Sequence, residues 1–122
     1  MLAVLSERQH IVRILITVSP LMYREALALT VGRHRPEYEV MFGAVESLDG
    51  EVEDFGPDLL ICSDRDGFSL EQTRNVLCRI ELLYNDSMGA RVSLDGKVWV
   101  IEDISTEDLL GIIDRVRELN TE

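Results

Sequence analysis

Ile11-Val12-Arg13-Ile14-Leu15-Ile16-Thr17-Val18, followed at once by Ser19-Pro20, is the stretch from which the architecture of this chain can be read. The run is β-branched and almost continuously apolar, the pattern of a strand buried on both faces of a parallel sheet. Pro20 suits the first turn of a helix. Leu21 to about Arg33 follows, with Met22, Ala26 and Leu29 in one helical row and Leu27 and Val31 in another. Gly32 and Pro36 bracket its end, and Tyr38–Phe42 predicts a second strand. Beyond it, Leu48, Val52 and Phe55 fit i, i+4, i+7, while Gly50 weakens the helix, so one or two turns are expected over 44–55. Gly56-Pro57 closes that segment, and Asp58-Leu59-Leu60-Ile61-Cys62-Ser63 predicts a third strand, again apolar throughout.

Asp64-Arg65-Asp66-Gly67 reads as a loop, and Ser69-Leu70-Glu71-Gln72 has the capping-box pattern. The spacing of Leu70, Leu77, Ile80 and Tyr84, with Val76 and Leu83 beside them, predicts a helix running to about Tyr84, with Cys78 in its middle. After Asn85–Gly89, two apolar runs, Ala90–Leu94 and Lys97–Ile101, flank Asp95-Gly96, a strong hairpin signal. Ser105-Thr106-Glu107-Asp108 opens a last helix with the stripe Leu109, Ile112, Ile113, Val116 and Leu119. The order β-α-β-(α)-β-α-β-β-α implies an α/β fold. It predicts an open, doubly wound sheet of about five strands with helices on both faces. Ligands of such sheets gather at the carboxyl ends of the strands, near the switch point. The residues to interrogate are therefore Thr17, Val18 and Ser19, then Ser63, Asp64 and Asp66, then Glu102 and Asp103.

The 122 residues suffice for one domain, 1–122, with residues 1–10 as a tail or an added edge strand. A hydrophobic fraction of 46% excludes a disordered chain. Twelve basic against 23 acidic residues leave a net charge of −11, which argues against nucleic acid or an anionic membrane as a direct partner. Met1–Leu5 is apolar but too short for a secretory signal, and no apolar run reaches the ~18 residues of a membrane span. The expected location is the cytoplasm. Cys62 and Cys78 are too few for a disulfide scaffold and form no C-x-x-C, so buried, reduced thiols are expected. No G-x-x-x-x-G-K-[ST] or G-x-G-x-x-G string supports a nucleotide cradle. His10 and His34 are far apart, so no metal site or other cofactor is expected. Ser63 has no nearby His to activate it. Arg33-His34-Arg35 reads as a charge cluster complementing a helix dipole, and the acidic run Val45–Asp54 as a solvated face.

Three strings give these elements a family likeness: Met22-Tyr23-Arg24-Glu25-Ala26-Leu27 in the first helix, Pro57-Asp58 before the third strand, and Glu102–Leu110 after the last. In this order and spacing the chain resembles the receiver domain of bacterial response regulators, a flavodoxin-like fold, over most of residues 11–119. The resemblance implies two metal-holding acids after the first strand, a phosphoacceptor Asp after the third, and a Lys after the last. Matched without gaps, those positions fall on Val18 and Ser19, on Ser63, and on Glu102. Val18 offers no oxygen, Ser63 is a poor acceptor without a positioned base, and Glu102 repels the anion that a Lys would neutralise. A one-residue slip puts Asp64 at the acceptor position, with Asp66, Glu102 and Asp103 as acids for a rebuilt Mg²⁺ site.

Where a receiver has a helix between its last two strands, this chain has only Asp95-Gly96. Two residues cannot make a parallel crossover, so these strands are expected to be antiparallel, with Lys97 at the carboxyl-end rim and Glu102 at the opposite edge. Val98 and Val100 alternate with Trp99 and Ile101, and one of these apolar sets lacks a helix to cover it. Val98, Trp99 and Val100 are therefore expected to form an interface, most simply in a homodimer. These residues imply a non-catalytic, receiver-like signalling or transcriptional-control module, not an enzyme, acting on a protein partner or on itself. Two alternatives stand beside it: a receiver phosphorylated on Asp64 with Mg²⁺, and a small-ligand module using the hydroxyls of Thr17, Ser19 and Ser63.

Overall fold

Val12, Ile14, Leu15, Ile16 and Val18 are all buried, as a central strand requires. The computed structural model describes residues 11–18, 21–43, 56–63, 76–84 and 88–120. Its strands are β1 (Arg13–Ile16), β2 (Glu39–Phe42), β3 (Leu59–Ser63), β4 (Cys78–Tyr84), β5 (Met88–Leu94) and β6 (Lys97–Ile101). Its helices are α1 (Leu21–His34) and α2 (Thr106–Asn120). The strands form one mixed sheet of six, in the order β2-β1-β3-β4-β5-β6. Neighbours from β2 to β4 are parallel, and β5 is antiparallel to both β4 and β6. The fold is therefore α/β, with six strands where about five were expected. No described helix is long and apolar enough to cross a membrane.

The extra strand is β4. The expected helix to Tyr84 is not formed over Cys78–Tyr84, so Cys78 lies at the start of a strand. The residues permit both readings, because a short apolar run fits either period. At a period of two, Cys78, Ile80 and Leu82 point to one face and are buried, while Arg79 and Glu81 point to the other. Pairing with β3 on one side and β5 on the other satisfies the backbone and overrides the helix propensity of Arg, Glu and Leu.

This strand also corrects the expected edges. The β5–β6 link is antiparallel as read, through a turn in which Asp95 and Gly96 take φ of 49° and 83°. But β5 already runs against β4, so β6 runs with the parallel strands. Ile101 pairs with Ala90, which pairs with Leu82, which pairs with Ser63. Glu102 thus follows β6 at the carboxyl edge of the parallel strands, and Lys97 stands at the opposite edge.

Both described helices pack on one face. There Ile14, Ile16, Leu59, Ile61, Ile80 and Val92 join Val31 of α1 and Leu109, Ile113 and Val116 of α2 in one core. Leu27 and Val31 of α1 turn inward, whereas Met22, Ala26 and Leu29 are exposed. On the other face Leu15, Leu60 and Cys62 are buried, with Met41 and Val76 against them. Asp58 ties the start of β3 to β1: its carboxylate accepts the Arg13 N–H (2.9 Å) and its own N–H donates to the Arg13 carbonyl (2.8 Å). The expected turns over 44–55, the acidic run Val45–Asp54, the loop 64–67, the capping box at Ser69, and residues 1–10 lie outside the described residues.

Arg35 does more than complement a helix end. Its Nε and Nη2 donate to the two carboxylate oxygens of Asp114, at 2.8 and 2.7 Å, clamping the end of α1 to α2. The hydrogen bond from Arg35 holds the Asp114 carboxyl below its ordinary value, against partial desolvation. A lowered folded-state value means the clamp contributes above ~3.9, the ordinary Asp value, and is lost as pH falls through the lowered one. Asp114→Asn is expected to lower the thermal midpoint near neutral pH. Melts at decreasing pH should show the gap from wild type narrowing below about 4 and then closing.

Candidate functional site at the carboxyl edge

From β1 the chain winds to β2 on one side and to β3 on the other, so the switch point lies between β1 and β3. The Thr17 N–H donates to the Ile61 carbonyl at 2.9 Å, extending the pairing past β1. Continuing the Ile14↔Leu59 and Ile16↔Ile61 register by two places sets Val18 beside Ser63. Val18 and Ser63 share the helix-bearing face, and Thr17 turns to the other. Thr17, Ser63 and Arg24 are the buried polar residues among those described, and all three belong to this end of the molecule.

Of the residues singled out from the sequence, the structure brings Thr17, Val18 and Ser63 together. Ser19, Asp64 and Asp66 lie outside the described residues. Glu102 and Asp103 are exposed at the same edge. They follow β6, three strands from β3, about 14 Å away at ~4.8 Å per strand. Asp103 takes the left-handed conformation (φ 51°), which Asp tolerates better than most residues, as the chain leaves β6 for α2. There is no group of His, Cys, Asp or Glu able to hold a metal ion among the described residues.

Two other features shape this edge. A cavity of about 220 Å³ opens between α1, the sheet and the start of α2, walled by Leu27, Ile61, Leu82 and Leu109. The α2 N-terminus beside it is already satisfied. The Asp108 N–H donates to Ser105 Oγ, and the Ser105 N–H to Asp108 Oδ2, each at 3.1 Å, a reciprocal cap. That cap and the acidic first turn make the α2 end a poor anion site.

Sequence reasoning used Arg24 only as part of a family string. The available signal was its place one turn before Leu27 and Ala28 and two before Val31, on the stripe that α1 turns inward. Arg24 is only 8% exposed, and its buried Nε makes no hydrogen bond.

The expected interface residues separate. Val98 and Val100 are 63% and 57% exposed on the face away from the helices. Trp99 and Ile101 turn the other way and pack, partly buried, against the core. Trp99 is thus a core-packing residue rather than part of the exposed strip. Arg79, Glu81 and Arg91 share the open face with the two valines. Glu81 accepts from Arg79 (3.5 Å) and Arg91 (3.3 Å).

In comparisons with family models, with curated proteins and with solved structures, nothing matches this chain.

Both cysteines are buried, and burial pushes the Cys78 thiol up to about 12. Neither thiol should react with a chromogenic disulfide reagent in the native protein at neutral pH. Both should react once denaturant is added.

Proposed function

We propose that this chain is a non-catalytic, receiver-like interaction module that works by binding protein, a second copy of itself first. In this reading it belongs to cytoplasmic signal transduction or transcriptional control. The parallel order β2-β1-β3-β4 supports a receiver-like arrangement of the first four strands. Matched without gaps to the family, Val18 falls at a metal-holding acid, Ser63 at the phosphoacceptor and Glu102 at the lysine, and Val18 and Ser63 are buried. A carboxylate at that position opposes a phosphoryl group instead of neutralising it.

The observation that carries the reading is the outer strip of β6. Among the described residues it is the edge strand, and its two outward β-branched residues are exposed side by side. Antiparallel pairing of two β6 strands centred on Trp99 sets Val98 of each copy opposite Val100 of the other. That pairing joins two sheets into one and gathers four valines on the open face. The net charge of −11 on each copy works against this contact, so added salt should strengthen it.

Light scattering behind a sizing column is expected to show a dimer that tightens as sodium chloride is raised. Val98→Lys with Val100→Lys should yield a folded monomer whose melting temperature, unlike that of the wild type, does not change with protein concentration, because both side chains are exposed. In the same preparation, acetyl phosphate and Mg²⁺ should add no mass to the intact chain. A monomer at all concentrations, or a phosphoryl adduct, would overturn the proposal.

A further inference from the structure

Among the described residues β2 is the other edge of the sheet, opposite β6. It carries neither Lys nor Pro, the usual deterrents to an added strand. The Glu39 N–H donates to the Val12 carbonyl and the Gly43 N–H to the Ile16 carbonyl, so Glu39, Met41 and Gly43 turn their backbone groups toward β1. Strand alternation therefore turns those of Val40 and Phe42 the other way, off the edge of the sheet.

The side chains of Val40 and Phe42 form one wall of a groove of about 460 Å³ that runs along α1. The other wall is the row Glu25, Leu29 and Arg33, spaced four residues apart. Leu29 is 60% exposed and Phe42 46%, so the groove opens to solvent with apolar flanks. Glu25 and Arg33 are exposed, and neither is in an ion pair among the described residues. α1 returns the chain from β1 to the parallel β2, so Glu25 stands toward the carboxyl edge and Arg33 toward the amino edge. The two lie about 12 Å apart at ~1.5 Å per helical residue. In an extended chain, residues i, i+2 and i+4 share one face and span about 13 Å. A strand laid antiparallel to β2 thus brings a base to Glu25, an apolar side chain to Leu29 and Phe42, and an acid to Arg33.

We infer that the α1–β2 groove binds an extended segment of a partner protein with the pattern base–x–apolar–x–acid, added as a strand antiparallel to β2. Pairing with the backbone of Val40 and Phe42 supplies the hold, Leu29 and Phe42 enclose the apolar side chain, and Glu25 and Arg33 fix the direction. No segment of this chain carries that pattern, so neither its own residues nor a second copy supplies the strand. This surface is independent of the β6 strip and stands or falls separately from it.

The test uses the whole isotope-labelled chain and a synthetic peptide with the core Lys-Thr-Leu-Thr-Glu, blocked at both ends. The peptide is expected to shift the amide signals of Leu29, Val40 and Phe42 and to slow hydrogen exchange at the Val40 and Phe42 amides. Leu29→Asp should weaken binding at least tenfold. A peptide with its Lys and Glu exchanged should bind the wild type more weakly, and should be the preferred ligand of the variant Glu25→Lys with Arg33→Glu. The replaced side chains are all exposed, so each variant should keep the wild-type amide spectrum away from the groove. No binding of the first peptide by the wild type would overturn the site. So would unchanged exchange at Val40 and Phe42 with peptide bound, or the same peptide preference in the charge-exchanged variant. Slow exchange at both amides in the free chain would show the groove filled by the chain itself, and loss of self-association in Leu29→Asp would assign it to a second copy; either result contradicts the inference.

Discussion

A two-residue link cannot carry a strand back to run parallel with its predecessor, and that restriction organises the second half of this molecule. Asp95-Gly96 forces β6 to run against β5, and the short connection from Tyr84 to Met88 does the same for β5 against β4. Two reversals cancel. β6 therefore ends at the same edge as the parallel strands, and the row Ser63–Leu82–Ala90–Ile101 crosses the sheet in register. Which side chains reach the carboxyl edge, and which valines face solvent, follows from that count of reversals.

The same count explains where sequence reading succeeded and where it failed. The continuous apolar runs at Ile11–Val18 and Asp58–Ser63 were legible because burial on both faces leaves no other pattern. The hairpin was legible because Asp95 and Gly96 both tolerate the positive φ that the turn demands. Cys78–Tyr84 was not, since its apolar residues satisfy helical and strand periods alike, and only pairing with β3 and β5 decides between them. Missing that single strand inverted the expected positions of Lys97 and Glu102. The α1 rows were half legible: both apolar rows fit the helical spacing, and the structure turns Leu27 and Val31 inward with Arg24 on the same stripe, while Met22 and Leu29 are exposed. Long-range neighbours, not local composition, place a charged residue inside.

At the carboxyl edge, Val18 and Ser63 are buried, and Glu102 is exposed just past the outer strand. Two of the exposed large apolar side chains, Val98 and Val100, lie on the open face of β6. Side chains at that strand divide cleanly, with Trp99 and Ile101 serving the core and Val98 and Val100 left outward. A sheet ending in an antiparallel meander therefore has a cavity between its helices and β3–β4 on one face and an exposed valine pair on the other.

Everything in this account depends on Cys78–Tyr84 being a strand. Nuclear Overhauser spectroscopy on the labelled chain tests it directly. The account predicts Hα–Hα contacts between alternate partners of Cys78–Tyr84 and Met88–Leu94, with strong sequential Hα–amide contacts along both segments. Sequential amide–amide contacts together with i to i+3 contacts across residues 78–84 would show a helix there. They would remove the meander, the direction of β6 and the edge built on it.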